Sequence, residues 1–405
     1  MHIDFNSFFA SVEQQANPHL RGKAIAVAGK AGGDLRRSVV TTASREAKAR
    51  GVKTAMATWE AKKICPELII VPGDPQKYAM ITERLLNVCR KYADNVEQFS
   101  TDEVFIDVTL AADNYFGASM LALMIRRDLK ATCGSVCTAS IGVAPNKLVA
   151  KLASESVKPN GLTVVRPHEV EAFVRTRPLA DFCGIGRQTE KRLAELGVTS
   201  VDTLRTVPRA RLIELFKSYG EWLHDASFGQ ATDVLKDDTL PAKSIGHSYT
   251  FPHDLQTLPE VKKNLLAMAD KVAWRLRQQK MVAKRITAYV RYGDFGGDGS
   301  ARLLNVPVSD GLTISQNAWQ LLAPQLELER GVRLLGVSVS ELQNVALPTS
   351  LFRKEQRMQQ VVTALDSVQT KFGADAWRRA STLQTSFRER TSGWHYDHLA
   401  MANQT

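Results

Sequence analysis

Three short segments, far apart in the sequence, carry the side chains best suited to catalysis. Asp4 lies between apolar residues in the first segment, where burying an unpaired carboxylate would be costly. Asp102 and Glu103 are adjacent in the second, and on a regular strand they would point to opposite faces. Both can serve one site if the strand bends there, as at the end of a hairpin. The third segment, residues 141–161, contains several lysines and ends in Lys158-Pro159-Asn160-Gly161.

Three converging carboxylates repel one another unless divalent cations lie between them. An oxygen-rich site with few protein ligands selects Mg²⁺, which keeps waters and substrate phosphates in its coordination shell. Two such ions can activate an attacking hydroxyl group and stabilise a leaving pyrophosphate. Any one of these acids alone is more simply a surface or capping residue, so the prediction of a two-metal site depends on all three together.

The elements that must position these residues alternate between strands and helices up to residue 165, which predicts one α/β domain with residues 7–71 as an insertion. The predicted strands are residues 2–10 with Phe8 and Phe9 at the end, Val39 and Val40, a pair between Gln98 and Val108, and residues 138–143. The predicted helices are one that breaks at Gly51 and those over residues 58–64, 75–93, 115–132 and 146–156.

After Arg166 the pattern changes to short helices. Gly184-Ile185-Gly186 precedes a helix that ends at Gly197, which is typical of a helix-hairpin-helix. Two glycines allow a tight turn, so that backbone N–H groups and the N-terminus of the next helix can face a phosphate. Such a hairpin holds duplex DNA without reading its sequence. A plain turn between two helices is the alternative.

Downstream of the hairpin, the sequence predicts a polar linker, a second mixed unit and a tail. The linker is residues 233–243, and residues 244–345 combine helix and strand patterns. Beyond Leu347 the sequence shows helix-like stretches without a convincing core.

The net charge of +11 and the isoelectric point near 9.4 indicate a polyanionic partner, nucleic acid first and a membrane surface second. Seven basic residues and no acidic one lie between Lys271 and Arg291, on a predicted helix that continues into a strand. A face of one charge on regular structure suits a phosphate backbone. The alternative is a merely solvated helix face, as charge runs often are.

The chain of 405 residues is too long for one ordinary core and fits two to four domains. No apolar run approaches the length of a membrane span, and Met1-His2-Ile3-Asp4 lacks the apolar stretch of a signal peptide, so we expect a cytoplasmic protein. The five cysteines include one close pair, Cys133 and Cys137, whereas structural zinc needs four ligands. We therefore expect reduced, buried thiols.

Together, the three segments resemble the signature motifs of Y-family translesion DNA polymerases, closest to the bacterial polymerase IV (DinB-like) type. The resemblance covers residues 2–345 and implies a multidomain α/β and α+β fold shaped as a right hand. The implied domains are a palm (residues 1–6 and 72–163), fingers (7–71), a thumb with the helix-hairpin-helix (164–232), the linker, a little finger (244–345) and a C-terminal tail (346–405). The implied activity is low-fidelity, template-directed transfer of nucleotides from dNTPs to a primer 3′-OH without proofreading.

By this resemblance, Asp4, Asp102 and Glu103 bind two Mg²⁺ ions with help from the backbone carbonyl of Phe5. Phe9 lies where the family places its steric gate, an aromatic ring that collides with a ribose 2′-OH. An ordinary core position is the alternative for Phe9.

The resemblance also implies contacts with substrate and template. Nucleotide contacts are implied for the backbone N–H groups of Ser7 and Phe8 and for the side chains of Thr42, Arg45, Lys48 and Lys158. DNA contacts are implied for Gly184, Gly186, Arg187, Lys243, Ser244, Gly246, Lys284 and Arg285.

Two departures from the family pattern are visible. Arg45 and Lys48 stand where the family commonly has Tyr and Arg, and we expect the planar fork of Arg45 to supply the directional contact with the triphosphate. Only three residues precede Asp4, so we expect a short first strand.

A candidate sliding-clamp peptide ends in Leu351-Phe352 but lacks the usual leading Gln. A simple hydrophobic docking patch is an equally good interpretation of so short a motif. The other implied partners are primer-template DNA and a dNTP, bound by a monomer at the bacterial nucleoid.

Two alternative functions are compatible with parts of the pattern. A non-catalytic DNA-binding adaptor built on a polymerase relic would be marked by loss of the acidic triad, yet all three acids are present. A lyase or glycosylase that uses the helix-hairpin-helix is a poorer alternative, because no catalytic Lys or Asp follows the hairpin at a suggestive place.

Overall fold

A computed structural model describes residues 1–29, 38–230, 235, 242–344, 353–373, 376–385 and 387. The chain divides into two compact units, one containing Met1–Gly29 and Val39–Thr239 and the other containing Leu240–Glu389. No helix among the described residues is both long enough and apolar enough to cross a membrane.

The described residues form strands and α-helices that alternate along much of the chain. The strands are β1 (His2–Phe5), β2 (Ile25–Ala28), β3 (Val40–Ala43), β4 (Ile69–Pro72), β5 (Val96–Gln98), β6 (Glu103–Ile106), β7 (Ala139–Val143), β8 (Leu162–Val164), β9 (Ser244–Leu255), β10 (Met281–Tyr292), β11 (Gly297–Val308) and β12 (Val332–Asn344). The helices are α1 (Phe8–Ala16), α2 (Arg45–Ala49), α3 (Thr58–Ile64), α4 (Pro75–Cys89), α5 (Tyr115–Cys133), α6 (Lys147–Ser156), α7 (Val170–Arg175), α8 (Arg187–Glu195), α9 (Val201–Thr206), α10 (Arg209–Phe216), α11 (Ser218–Ser227), α12 (Leu258–Gln278), α13 (Gly311–Leu322) and α14 (Arg353–Phe372).

A five-stranded sheet in the order β5-β6-β1-β7-β8 forms the centre of the first unit. β1 lies in the middle and is antiparallel to both of its neighbours, so a strand of only four residues is hydrogen-bonded on each side. Its residue Ile3 packs with Leu85 of α4, Leu129 of α5 and Ile141 of β7 in one apolar core. The short first strand is confirmed, as are the hairpin near Asp102 and the four predicted helices.

The predicted strand over residues 2–10 is wrong in its second half. β1 stops after four residues, Ser7 has a left-handed backbone with φ of 49°, and α1 follows directly. Phe8, Phe9 and Val12 have helical spacing, and all three are buried in the core of the first unit. Because the strand and the helix are both buried on most sides, neither shows a clear polar and apolar periodicity, and the sequence pattern alone could not separate them.

The residues after α1 form a separate three-stranded sheet in the order β3-β2-β4. α2 and α3 pack on it through small apolar residues such as Ala47 and Ala61. The Ser44 hydroxyl caps α2 by accepting a hydrogen bond from the Ala47 N–H. The predicted break at Gly51 is confirmed, since this glycine has φ of 91° just after α2 ends.

Five short helices, α7 to α11, follow the two sheets and share an apolar core with α6. α8 begins at Arg187, directly after the predicted glycine turn. Gly184 has φ of 114°, a conformation that residues with a side chain rarely adopt, and Gly197 ends the helix with φ of 76°. The sequence therefore located this hairpin correctly.

The second unit is a four-stranded antiparallel sheet in the order β11-β10-β12-β9, with α12 and α13 packed on one face. Ile286, Ala288 and Val290 of β10 alternate onto that face and are buried. The residues between them belong to the opposite face, which the two helices do not cover.

The helix-like stretch expected beyond Leu347 is confirmed by α14, and the docking of the described residues beyond 352 on α12 was not predicted. α14 and the segment after it are held to α12 by two bidentate ion pairs. Arg277 donates to Asp366 at 2.6 and 2.7 Å, and Arg379 donates to Asp270 at 2.8 and 3.1 Å. These acids are distant in sequence from the arginines, so their pairing could not be predicted from local pattern.

The same contacts correct the expected face of one charge between Lys271 and Arg291. Arg277 is neutralised by Asp366, and Arg285 lies 3.7 Å from Glu341. Two of the seven basic residues of the run are therefore paired with acids that lie close to them only in space.

The expected buried thiols are confirmed for four of the five cysteines. Cys65, Cys89, Cys133 and Cys137 are buried, all five are unpaired, and Cys183 is exposed. Burial raises the pKa of both Cys89 and Cys133 to about 12. Cys183 is the exception because it lies in the turn that precedes α8.

Candidate active site

Three carboxylates converge at the centre of the five-stranded sheet. Asp4 of β1 lies opposite Glu103 of β6 in the antiparallel register, and Glu155 comes from α6. One oxygen atom from each carboxylate lies within 4.8 Å of the other two. Asp4 is buried, Glu103 is partly buried and Glu155 is exposed. The register of the sheet thus brings together two of the three predicted acids.

Asp102 lies next to this cluster, but its carboxylate is not one of the three. It occupies the turn before β6, where its backbone carbonyl accepts a hydrogen bond from the Phe5 N–H at 3.0 Å. Its carboxylate accepts a hydrogen bond from the Ser100 hydroxyl at 2.8 Å. Burial raises the pKa of Asp102, and the negative charge of Glu103 contributes to the rise. The bend needed to bring both acids to one site is present, while the third member of the cluster is Glu155.

Two lysines lie against these carboxylates. The Lys158 ammonium is 2.7 Å from Asp4 Oδ2 and 2.7 Å from Glu155 Oε1, and Lys151 forms an ion pair with Glu103. Burial raises the pKa of Asp4 to about 8, although the charge of Lys158 opposes the rise. Burial alone would lower the pKa of Lys158, but the charges of Asp4 and Glu155 raise it. The site therefore combines carboxylates whose charge is partly neutralised with two lysines that could bind a phosphate.

His2 supports the cluster from within the sheet. Its side chain is fully buried, with Nδ1 at 2.7 Å from the Ser154 hydroxyl and Nε2 at 3.8 Å from Glu103 Oε1. Burial lowers the pKa of His2 well below its ordinary value, and the positive charge of Lys151 lowers it further. His2 is therefore neutral at neutral pH.

Sequence reasoning missed both Glu155 and His2. Glu155 precedes Lys158 by three residues, about one helical turn, and this spacing was a usable signal. His2 gave no comparable signal, because its burial depends on the two strands that flank β1.

Phe9 lies in the first turn of α1 and is only 7% exposed. Its ring stacks on Tyr78 with centroids 4.3 Å apart, and the Tyr78 hydroxyl donates to Glu13 at 2.8 Å. This contact fixes the ring, which suits both a steric gate and an ordinary core position. The role of Phe9 stays a prediction.

The other predicted nucleotide ligands lie around the N-terminus of α1 and on α2. Ser7 makes no side-chain capping bond, and the first N–H groups of any helix lack intrahelical acceptors. Partial desolvation lowers the pKa of Lys48, and the nearby charge of Lys158 lowers it further. Arg45 instead donates to the Thr138 hydroxyl, and Thr42 is half-buried on β3. The charge of Lys48 thus interacts with that of the carboxylate cluster, while the Arg45 side chain is hydrogen-bonded to Thr138.

The predicted DNA contacts fall on both units. Gly186 is open, with no heavy atom within 4 Å of where a Cβ would stand. In the second unit, the strand register aligns Gly246 with Ser338 and Thr287, and Ser244 with Ser340 and Arg285, on the face without helices. Lys284 adjoins Arg285 at an irregularity in the register between β10 and β11, and it is partly buried.

Two predicted DNA contacts and the two predicted clamp-binding residues remain. Arg187 and Lys243 are both exposed. Leu351 and Phe352 lie outside the described residues.

The impB/mucB/samB family matches residues 3–155, and its C-terminal domain matches residues 242–351. DNA polymerase IV of Streptococcus pneumoniae serotype 2 is 36% identical over 84% of this chain and 96% of its own length. DNA polymerase IV of Desulfatibacillum aliphaticivorans is 34% identical over 92% of this chain and 94% of its own length. A solved chimera of the Y-family DNA polymerases Dbh and Dpo4 is similar with a TM-score of 0.75 and 27% identity, covering 84% of this chain and 98% of the chimera.

Proposed function

The chain belongs to the impB/mucB/samB family and is a translesion DNA polymerase, and we propose that it adds nucleotides to a primer at Asp4, Asp102 and Glu103. Its fold is that of a Y-family right-hand polymerase with several α/β and α+β parts. The observation that carries the proposal is the strand register that sets Asp4 opposite Glu103, with a lysine ammonium against each carboxylate. This arrangement suits a nucleotide bound with a metal ion, because the carboxylates can bind the metal ion and the lysines can bind the phosphates.

The oxygen donors of this cluster fit a hard divalent cation, and Mg²⁺ is the one that carboxylates and substrate phosphates hold together. Two such ions, when bound, would activate the primer 3′-OH and stabilise the leaving pyrophosphate. Asp4 and Glu103 would hold them, with Asp102 recruited from its hydrogen bond to Ser100 and Phe5 contributing its backbone carbonyl. Lys158, which the cations would displace from Asp4, then becomes available to the triphosphate.

The triphosphate would lie between the N-terminus of α1 and the cations around the cluster. The N–H groups of Ser7 and Phe8 would donate to its oxygens, as helix N-termini do for other anions. Lys158, Lys48, Arg45 and Thr42 would bind it through their side chains. The ring of Phe9, held by Tyr78, would then lie beneath the sugar and exclude a 2′-OH.

The DNA would be held largely by its phosphates. We assign the palm to residues 1–6 and 72–163, the fingers to 7–71, the thumb to 164–232 and the little finger to 244–345, joined by the linker 233–243 and followed by the tail 346–405. The turn at Gly184 and Gly186 with Arg187 would address one stretch of backbone. Lys243, Ser244, Gly246, Lys284 and Arg285 would address another.

The non-catalytic adaptor is not favoured, because the acids are retained and the matched relatives carry the name of a polymerase. The polymerase would act as a monomer on nucleoid DNA in the cytoplasm. The segment ending in Leu351 and Phe352 would recruit a sliding clamp.

Primer extension tests the assignment of the acids. Asp4→Ala and Glu103→Ala should each abolish nucleotide addition in Mg²⁺ while primer-template affinity stays within about three-fold, because DNA is held by phosphate contacts elsewhere. Asp113→Ala, at an exposed acid of the same unit, is the matched control and should extend primers normally. Substantial extension by either of the first two variants would refute the assignment.

A further inference from the structure

The buried side-chain amide of Asn6 connects the loop that carries Lys158 to the residue that binds Arg45. Asn6 occupies the turn between β1 and α1 and is 5% exposed. Its backbone N–H donates to the carbonyl of Thr138 at 2.8 Å, which fixes its position at the edge of β7. The side chain of Asn6 is therefore held in a defined place beside Asp4 and Phe5.

The Asn6 side chain uses both ends of its amide. Its Oδ1 atom accepts hydrogen bonds from the Asn160 N–H at 2.7 Å and from the Thr138 hydroxyl at 3.0 Å. Its Nδ2 group donates to the Ser140 hydroxyl at 3.0 Å, and the same hydroxyl accepts from the Gly161 N–H at 3.3 Å. Two consecutive backbone N–H groups, at residues 160 and 161, are thus tied to one polar cluster.

The first arm of this network ends at Lys158. Asn160 has a left-handed backbone with φ of 56°, and a side chain at Gly161 would collide with the Val157 carbonyl. The loop of residues 157–161 is therefore closely folded, and the bond from the Asn160 N–H to Asn6 attaches it to β1. Two residues before Asn160, the Lys158 ammonium lies 2.7 Å from Asp4.

The second arm of the network ends at Arg45. The Thr138 hydroxyl that donates to Asn6 also accepts a hydrogen bond from the Arg45 guanidinium. Arg45 is the first residue of α2, in the insertion after α1. A single oxygen, Asn6 Oδ1, consequently joins the Lys158 loop to the hydroxyl on which Arg45 is placed.

We propose that Asn6 is a positioning residue for the incoming nucleotide, which holds the Lys158 loop and the Thr138–Arg45 contact in one geometry. The inference rests on the proposed function, because it requires a triphosphate at this site. Asn6 itself touches neither the carboxylate cluster nor the substrate in this assignment. It acts through Lys158 and Arg45. Lys158 lies on a loop and Arg45 on a helix, and Asn6 fixes the position of one relative to the other.

Single-turnover insertion of one dNTP tests the proposal, since it separates the apparent dNTP affinity from the maximal rate. Asn6→Ala should weaken dNTP affinity by about ten-fold, the size expected for loss of a charge-positioning hydrogen bond, and should change the maximal rate less. Ser11→Ala is the matched control, because Ser11 is also buried and its hydroxyl bonds to the nearby Phe8 carbonyl at 2.9 Å and to the Cys137 thiol, outside the Asn6 network. It should leave the dNTP affinity unchanged.

Two further variants distinguish positioning from general stability. Asn6→Asp keeps the oxygen that accepts from Asn160 and Thr138, so it should restore most of the affinity that Asn6→Ala loses. In a Lys158→Ala background, Asn6→Ala should have a smaller effect, because one of the two residues through which it acts is gone. A purely structural role would give additive losses and parallel changes in melting temperature.

An unchanged dNTP affinity in Asn6→Ala, full additivity with Lys158→Ala, or no rescue by Asn6→Asp would overturn the proposal. Should Asn6→Ala fail to fold, Ser140→Ala removes the hydroxyl that holds both Asn6 and Gly161 and provides the same test. An inactive wild-type protein would instead contradict the proposed polymerase function, so the two failures are distinguishable.

Discussion

The affinity of the site for a divalent cation should depend on pH through Asp4. Burial raises the pKa of Asp4 to about 8, so in the metal-free protein this carboxyl group carries a proton at neutral pH. The proton must leave before the carboxylate can bind a cation, and affinity therefore rises with pH until about 8 and then levels off. One proton released against this pKa gives about a fifty-fold increase in affinity between pH 6 and pH 8.

Two neighbours of Asp4 should move this pH dependence in opposite directions. Glu155 raises the pKa of Asp4 through its hydrogen bond and its negative charge, whereas the charge of Lys158 lowers it. Glu155→Gln should therefore shift the midpoint to lower pH, and Lys158→Met should shift it to higher pH. Glu214→Gln removes an exposed acid that pairs with Arg211 on α10, and it should leave the midpoint unchanged.

Binding of Mn²⁺, followed by its electron paramagnetic resonance signal, provides a readout independent of nucleotide addition. The midpoint of the pH profile is compared rather than the absolute affinity, because Glu155 itself lies in the carboxylate cluster. Equal affinity at pH 6 and pH 8, or a shift of both variants in the same direction, would refute the reasoning.

Three other predictions follow from burial and ion pairing. Phe9→Ala should permit incorporation of ribonucleotides, and an unchanged ratio of dNTP to rNTP insertion would return Phe9 to an ordinary core role. A thiol reagent at pH 8 should modify Cys183 rapidly and the other four cysteines only after unfolding, because burial raises the pKa of each of those four; rapid labelling of a second thiol would contradict this. Asp366→Ala removes a charge-assisted pair of ~1.5–3 kcal/mol, so amide hydrogen exchange in α14 should accelerate by about ten-fold or more, whereas the exposed Ser367→Ala should have little effect.

Local sequence patterns predicted much of the fold but not the contacts between distant segments. The helices α3 to α6, the glycine hairpin and the turn at Asp102 were predicted because each has its own periodicity or capping residue. The boundary between β1 and α1 was missed because a buried strand leads into a buried helix within two residues. The docked tail was missed because its arginines and acids are about 90 or more residues apart, as Arg277 and Asp366 are.

In the candidate site, too, the residues in local motifs were predicted and those that depend on distant contacts were not. Asp4 and Glu103 were identified from motifs, and the sheet brings them together. Glu155, His2 and Asn6 were missed, although each contacts a residue that the motifs identified or the loop that carries one. Their importance depends on burial and on partners more than a hundred residues away in most cases, which no local pattern contains.

The antiparallel pairing of β1 with β6 has a consequence for how the gene can vary. His2 and Asp4 alternate with Ile3 and Phe5, so a shift of one position within β1 would exchange the acid for an apolar side chain on the catalytic face. Insertions or deletions of a single codon inside this strand should therefore abolish the chemistry even where folding survives. Changes of length should be accepted far more readily in the turn between β6 and α5, where Leu110 is fully exposed. The alternation of side chains along this four-residue strand thus restricts which length variants selection can retain.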